Sequence, residues 1–266
     1  MNSAAELSAV EPENQLITFE QPLTERMRTL LRVELLHEQT LFHVEDPTDF
    51  GARSAVTGLL EILTILGRGD VRADVIKELE RHGDLLASYR SQPGVDPSRL
   101  TGLIEDIDEL RGRLAEAGPH IMNPLKECEF LSTIRHRSSI PGGTCTFDLP
   151  DYGYWLSLPP NERRRQLEEW TDQLKPLCDA VAEVLWLTRE ATEAAEATAP
   201  GGLYQQSFDR NEQVNLVRVL LPRGAGIFPE ISAGQHRFTV RFVRWRGVDA
   251  RPAQVNQDVR FLLAVC

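Results

Sequence analysis

Hydrophobic side chains recur every three or four residues along most of the chain, and every second residue near its end. From Glu25 to Val44, Met27, Leu30, Leu31, Val33, Leu35 and Leu36 keep helical spacing, with Thr24 placed as N-cap. A second helix is expected over about 48–66, carrying Val56, Leu59, Leu60, Ile62, Leu63 and Leu66. Gly67-Arg68-Gly69-Asp70 reads as a turn, with Asp70 capping a third helix that runs to about 89. There Val75, Leu79, His82 and Leu86 fall at steps of four, three and four. Asp96-Pro97 restarts the chain as N-cap and first helical residue. Leu100, Leu103, Ile107, Leu110 and Leu114 then form a narrow seam, suited to one antiparallel helical neighbour. Further helices are expected over 123–137, over 161–174 and from Pro176 to about 197.

After Pro200-Gly201-Gly202 the period changes to two. Strands are expected over 203–208, 214–221, 235–245 and 258–265, bounded by Gly, Pro and Asn. Residues 15–20 alternate as a short strand, and 144–148 reads as another; either could join the sheet. The expected fold class is α+β, a helical body of about seven helices with an antiparallel β-sheet domain built mainly from the C-terminal strands. The expected domains are a flexible N-terminal extension over 1–14, a mainly helical domain over 15–200 and a β domain over 201–266.

Composition narrows the class. The 266 residues are 41% hydrophobic and 26% charged, which is globular usage and excludes a disordered or fibrous chain. No apolar run approaches the ~18 residues that would span a bilayer, so no membrane insertion is expected. Residues 1–14 lack a basic start and an apolar stretch, which argues against a signal peptide and for a cytoplasmic protein. Cys128, Cys145, Cys178 and Cys266 are widely separated, as in a reducing compartment. The net charge of −11 is split unevenly: residues 201–266 hold nine Arg against five acidic residues, whereas 1–200 hold 20 basic against 35 acidic.

Catalytic signatures are missing from the sequence: it contains no phosphate-binding loop, no dinucleotide fingerprint and no nucleophile elbow. Only His37 and His43 are close among the six histidines, and a six-residue step puts them on different helical faces. Neither a metal nor a cofactor is expected, and nothing points to an enzyme. Arginine on the sheet is the stronger signal. In His236-Arg-Phe-Thr-Val-Arg-Phe-Val-Arg-Trp-Arg246 the strand period places Phe238, Val240 and Phe242 inward, with Arg237, Thr239 and Arg241 outward. Arg218 is flanked in the same way by Val217 and Val219, and Arg244 follows on the same strand as Arg241. Guanidinium forks match carboxylate geometry, so the face suits an acidic partner; a solubilising outer face is the alternative. A basic nucleic-acid-binding sheet is a second reading, opposed by inward aromatics and by an acidic helical body.

Four stretches then resemble a known family: FEQPLTERMRTLLRVELL (19–36), GRGDVRADVIKEL (67–79), SIPGGTCTFDLP (139–150) and RFTVRF (237–242). In this order and spacing they resemble the Z-ring-associated protein D (ZapD) family of cytoplasmic bacterial division proteins, over about residues 17–266. The resemblance implies a helical domain and a β domain assembled as a homodimer. It further implies binding to the C-terminal tail of FtsZ, the tubulin-like division GTPase, with filament bundling at the midcell division site. Basic residues of the family's tail-binding site carry over onto Arg68, Arg237 and Arg241, with Arg32, Arg135, Arg137, Arg218 and Arg244 as secondary candidates. Two further basic positions of the family's helical region fall on Glu129 and Gly153, so the charge for a second, helical contact is not kept there.

Overall fold

The computed structural model describes residues 16–209, 214–234 and 236–266. The extension over 1–14, and the positions Gln15 and Gln235, lie outside the described residues. The chain divides into two units, one of Arg28–Leu187 and one of Met1–Met27 with Thr188–Cys266.

The first unit is helical. It takes in most of α1 (Glu25–Val44), then α2 (Asp49–Leu66), α3 (Val71–Ser88), α4 (Pro97–Ala117), α5 (Asn123–Glu127), α6 (Glu129–Ser138), α7 (Pro150–Leu156) and most of α8 (Pro160–Glu190). The predicted caps are in place: Thr24 accepts from the Met27 amide at 3.1 Å, Asp70 from Ala73, and Asp96 from Ser98 and Arg99; Thr48, not singled out as a cap, accepts from Gly51. Each satisfies an amide that the first helical turn leaves without a partner. α3 and α4 pack on one another, burying Val75 and Leu79 on one and Leu100, Ile107, Leu110 and Leu114 on the other. The leucine seam is therefore used inside the chain. Arg72 clamps this hairpin by donating Nε and Nη2 to the Leu114 carbonyl at 2.9 and 2.8 Å.

Several boundaries differ from the pattern reading. The segment expected over 123–137 breaks at Cys128 into α5 and α6. α8 is one helix with Pro176 inside it, and it ends at Glu190, so 195–197 is not helical. Residues 144–148 are turns and not a strand. Their amides bond locally, Cys145 N–H to Gly142 O at 3.0 Å and Asp148 N–H to Cys145 O at 3.0 Å, and so are not offered to a sheet.

The second unit holds two sheets where one was expected. β1 (Leu16–Pro22), β4 (Leu216–Pro222), β8 (Val259–Val265) and β2 (Ala195–Ala199) form one, in the order β1-β4-β8-β2. β3 (Leu203–Ser207), β6 (Arg237–Arg244) and β5 (Ile227–Gly234) form the other, with β7 (Ala253–Gln254) also pairing β6. Every pairing is antiparallel. The core between them gathers Val217, Val219 and Leu221 of β4, Phe261 and Leu263 of β8, and Phe238, Val240 and Phe242 of β6. Phe242 and Phe261 meet across it with ring centroids 5.0 Å apart.

β2 and β5 escape pattern reading for physical reasons. Ala195-Glu-Ala-Thr-Ala199 has helix-forming composition, overridden by pairing with β8. β5 contains Pro229, which is tolerated because β5 is an edge strand. Gly201 and Gly202 turn the chain from β2 in one sheet to β3 in the other, both at positive φ. A Cβ on Gly202 would lie 2.2 Å from the Val255 carbonyl oxygen, so only glycine fits.

Candidate functional site

The outer face of β6 is built by strand alternation. Phe238, Val240 and Phe242 are fully buried, which turns Arg237, Thr239 and Arg241 outward. At ~3.3 Å per residue the two arginine backbones are roughly 13 Å apart. Register sets their neighbours. Ser207 and Gly234 flank Arg237; Gln205 and Ser232 flank Thr239; Leu203 and Glu230 flank Arg241. Gln205 donates its Nε2 to the Thr239 hydroxyl at 3.3 Å.

Arg237 makes no side-chain hydrogen bond or ion pair with any described residue, and it is exposed. Arg241 is also exposed, but its Nε donates to Glu230 Oε2 at 3.0 Å and its Nη2 donates to the same oxygen. Arg244 ends the strand, exposed, opposite Ile227 and Ala253. Pattern reading passed over Glu230 because its strand, interrupted by Pro229, does not alternate cleanly.

Arg218 does not belong to this face. It stands on the other sheet, where it pairs with Glu20 at 3.3 Å and donates Nη1 to the Arg189 carbonyl at 3.0 Å. Its guanidinium is engaged by the framework, apart from the arginines of β6.

The remaining candidates belong to the helical unit. Arg68 is exposed in the turn before α3, and its side chain has no partner among the described residues. It lines a cleft of about 390 Å³ with Lys126, Leu66, Val71, Ile121 and Met122. Lys126 was not singled out from sequence, since a lone lysine in a short helix carries no pattern. Arg32 is exposed on α1. Arg135 and Arg137 sit in the last turn of α6, where positive charge complements the exposed carbonyl end of a helix. Glu129 opens α6. At Gly153, inside α7, a Cβ would come within 2.5 Å of the Thr146 side chain, so a basic residue there would require that side chain to move.

Among the described residues no group of three or more His, Cys, Asp or Glu is placed to hold a metal ion. Burial pushes the Cys178 thiol up to about 12, so it stays protonated and unreactive. No single described helix is long and apolar enough to cross a membrane.

Helical unit and antiparallel sandwich together make an α+β protein, with exposed arginines on one sheet and an arginine-lined cleft among its helices. The family model for ZapD, described as a cell division protein, matches residues 31–241, and the chain belongs to that family. The match takes in Arg68, Arg237 and Arg241, and ends before Arg244.

Proposed function

We propose that this cell division protein is a non-enzymatic adaptor that binds the C-terminal tail of FtsZ and crosslinks its filaments at the cytoplasmic midcell site. The observation that carries the reading is Arg237: an exposed guanidinium without a partner among the described residues, four positions from Arg241 on one strand face, inside the family match. Such forks bind carboxylates bidentately. Crosslinking requires two sites, and a homodimer supplies them; once one tail is held, the second contact is effectively intramolecular. The leucine seam is packed against α3, so the dimer uses another surface.

The nucleic-acid reading finds no support on this face. Phe238 and Phe242 are fully buried and offer no ring for base stacking; the exposed Trp245 lies beyond the end of the strand. The test is a parallel titration by fluorescence anisotropy of a labelled FtsZ tail peptide and a labelled oligonucleotide of similar length. Saturable binding of the peptide alone supports the adaptor; binding of the oligonucleotide alone would reverse the assignment.

A further inference from the structure

Arg237 and Arg241 share a strand, a face and an exposed setting, yet their neighbours differ. Ser207 and Gly234, beside Arg237, carry no charge to neutralise it. Arg241 faces Glu230 across the β5–β6 pairing, and both its Nε and its Nη2 converge on Oε2 of that carboxylate. The two side chains are 51% and 43% exposed, so water reaches the pair and the contact is weak and readily exchanged.

We infer that Glu230 is an intramolecular stand-in for a partner's carboxylate: it holds the Arg241 fork until an acidic peptide displaces it. The inference rests on the reading of this face as the FtsZ tail-binding surface. A partner carboxylate gains a full charge-assisted contact at Arg237. At Arg241 it gains only the difference between its own pairing and that of Glu230. Adjacent strands are ~4.8 Å apart, so Glu230 also repels an acidic group approaching its neighbour. A ligand with one carboxylate therefore settles at Arg237 and leaves the Glu230–Arg241 pair closed. A tail with a second acidic group, spaced to reach along the strand, opens it. Glu230 thus sets affinity and favours partners with two acidic groups.

Glu230→Gln in the full-length protein keeps the side-chain size and removes the charge. Titrated with a labelled FtsZ tail peptide at fixed ionic strength, this variant is expected to bind two- to fivefold more tightly, a range set by the modest worth of an exposed ion pair. Its circular dichroism and melting temperature should match the parent's. In an Arg241→Ala background the same substitution should give a smaller gain, the share due to repulsion alone. Unchanged or weaker binding by Glu230→Gln would overturn the proposal, since a positioning role predicts weakening. A gain as large without Arg241 would also overturn it, by reducing Glu230 to a general repulsive charge. Failure of the underlying reading looks different: an Arg237→Glu protein that binds the tail normally would show that the tail docks elsewhere, and the Glu230 role would fall with it.

Discussion

Glu20 on β1 stands directly opposite Arg218 on β4, and the same carboxylate grips Arg189 at the end of α8 through two bonds of 2.9 Å. Arg218 closes the set by donating to the Arg189 backbone carbonyl. The Glu20 and Arg218 side chains are only 19% and 21% exposed, so water screens their pairing little. The arrangement fastens an edge strand to its sheet and to the chain leaving the last helix. It also engages the guanidinium of an arginine that the strand pattern turns outward.

Removing Glu20 should therefore cost more than an ordinary surface change. Glu20→Ala removes the carboxylate opposite the partly buried Arg218 and breaks the fork to Arg189, and we expect about 2 kcal/mol of lost stability, read as a lower urea midpoint. Arg218→Ala should cost less, because the Glu20–Arg189 fork survives it, and should leave tail binding intact. A tail-binding defect in correctly folded Arg218→Ala protein would return this residue to the binding surface.

Arg237→Glu with Arg241→Gln should abolish most tail binding while the fold persists. Charge reversal removes a charge-assisted hydrogen bond and adds repulsion, roughly 2 kcal/mol per contact or about 30-fold. Glutamine is chosen at 241 because glutamate there would face Glu230 and add a cross-strand repulsion unrelated to binding. Circular dichroism and melting temperature should be unchanged, and binding should fall by more than tenfold.

Bundling should weaken as salt rises. Exposed charge contacts are screened over a Debye length of ~8 Å at physiological ionic strength. Co-sedimentation of FtsZ with the protein, at salt concentrations where FtsZ still polymerises, should show a steady fall in pelleted bundles. A flat response would point to a mainly apolar contact.

Much of this architecture was legible in the sequence. Caps at Thr24, Asp70 and Asp96 and the alternation of 237–242 rest on local chemistry, and local chemistry is written in adjacent residues. β2 and β5 were hidden because distant partners decide them: β8 makes a strand of Ala195–Ala199, and β6 does the same for a run broken by Pro229. The division into two sheets depends on how the chain turns at Gly201-Gly202, which no periodicity reports. At the site, the outward arginines followed from the period of two. Their unequal pairing did not, because register across β5 and β6 sets it.

Gly202→Ala tests that turn. The substitution demands a left-handed backbone from a residue with a Cβ and drives that atom into the Val255 carbonyl. We expect a loss of more than about 2 kcal/mol, since strained backbone and steric overlap add. Gly201→Ala, where nothing lies within 4 Å, should cost less. Thermal melts of the two variants give the comparison.

Stability should also fall on acidification, with His82 contributing. Burial, reinforced by Arg81, holds its pKa down to about 4, and Arg81 Nη2 lies 2.9 Å from Nε2. Arginine can only donate, so that nitrogen accepts and the ring is neutral. In the unfolded chain histidine titrates near ~6.5, so the unfolded state takes up the proton first. The contribution is present in full above about pH 6.5, declines as pH falls, and is lost by about pH 4. Its ceiling is of order 3 kcal/mol. Urea midpoints at pH 7 and 4.5 should differ less in His82→Gln than in the parent.

β1 pairs with β4 from Leu16 against Pro222, and the whole helical unit lies between them in the chain. On the ribosome this becomes a matter of timing. At ~5–20 residues per second, β1 waits about 10–40 s for the strand that will hold it. Arg28–Leu187, rich in local helical contacts, emerges whole in that interval and can fold first. The sandwich is thus begun early and closed late, after the inserted unit is complete in the chain. A fragment cut at 201–266, which lacks β1 and β2, would leave β4 and β8 with bare edges and should aggregate when expressed alone.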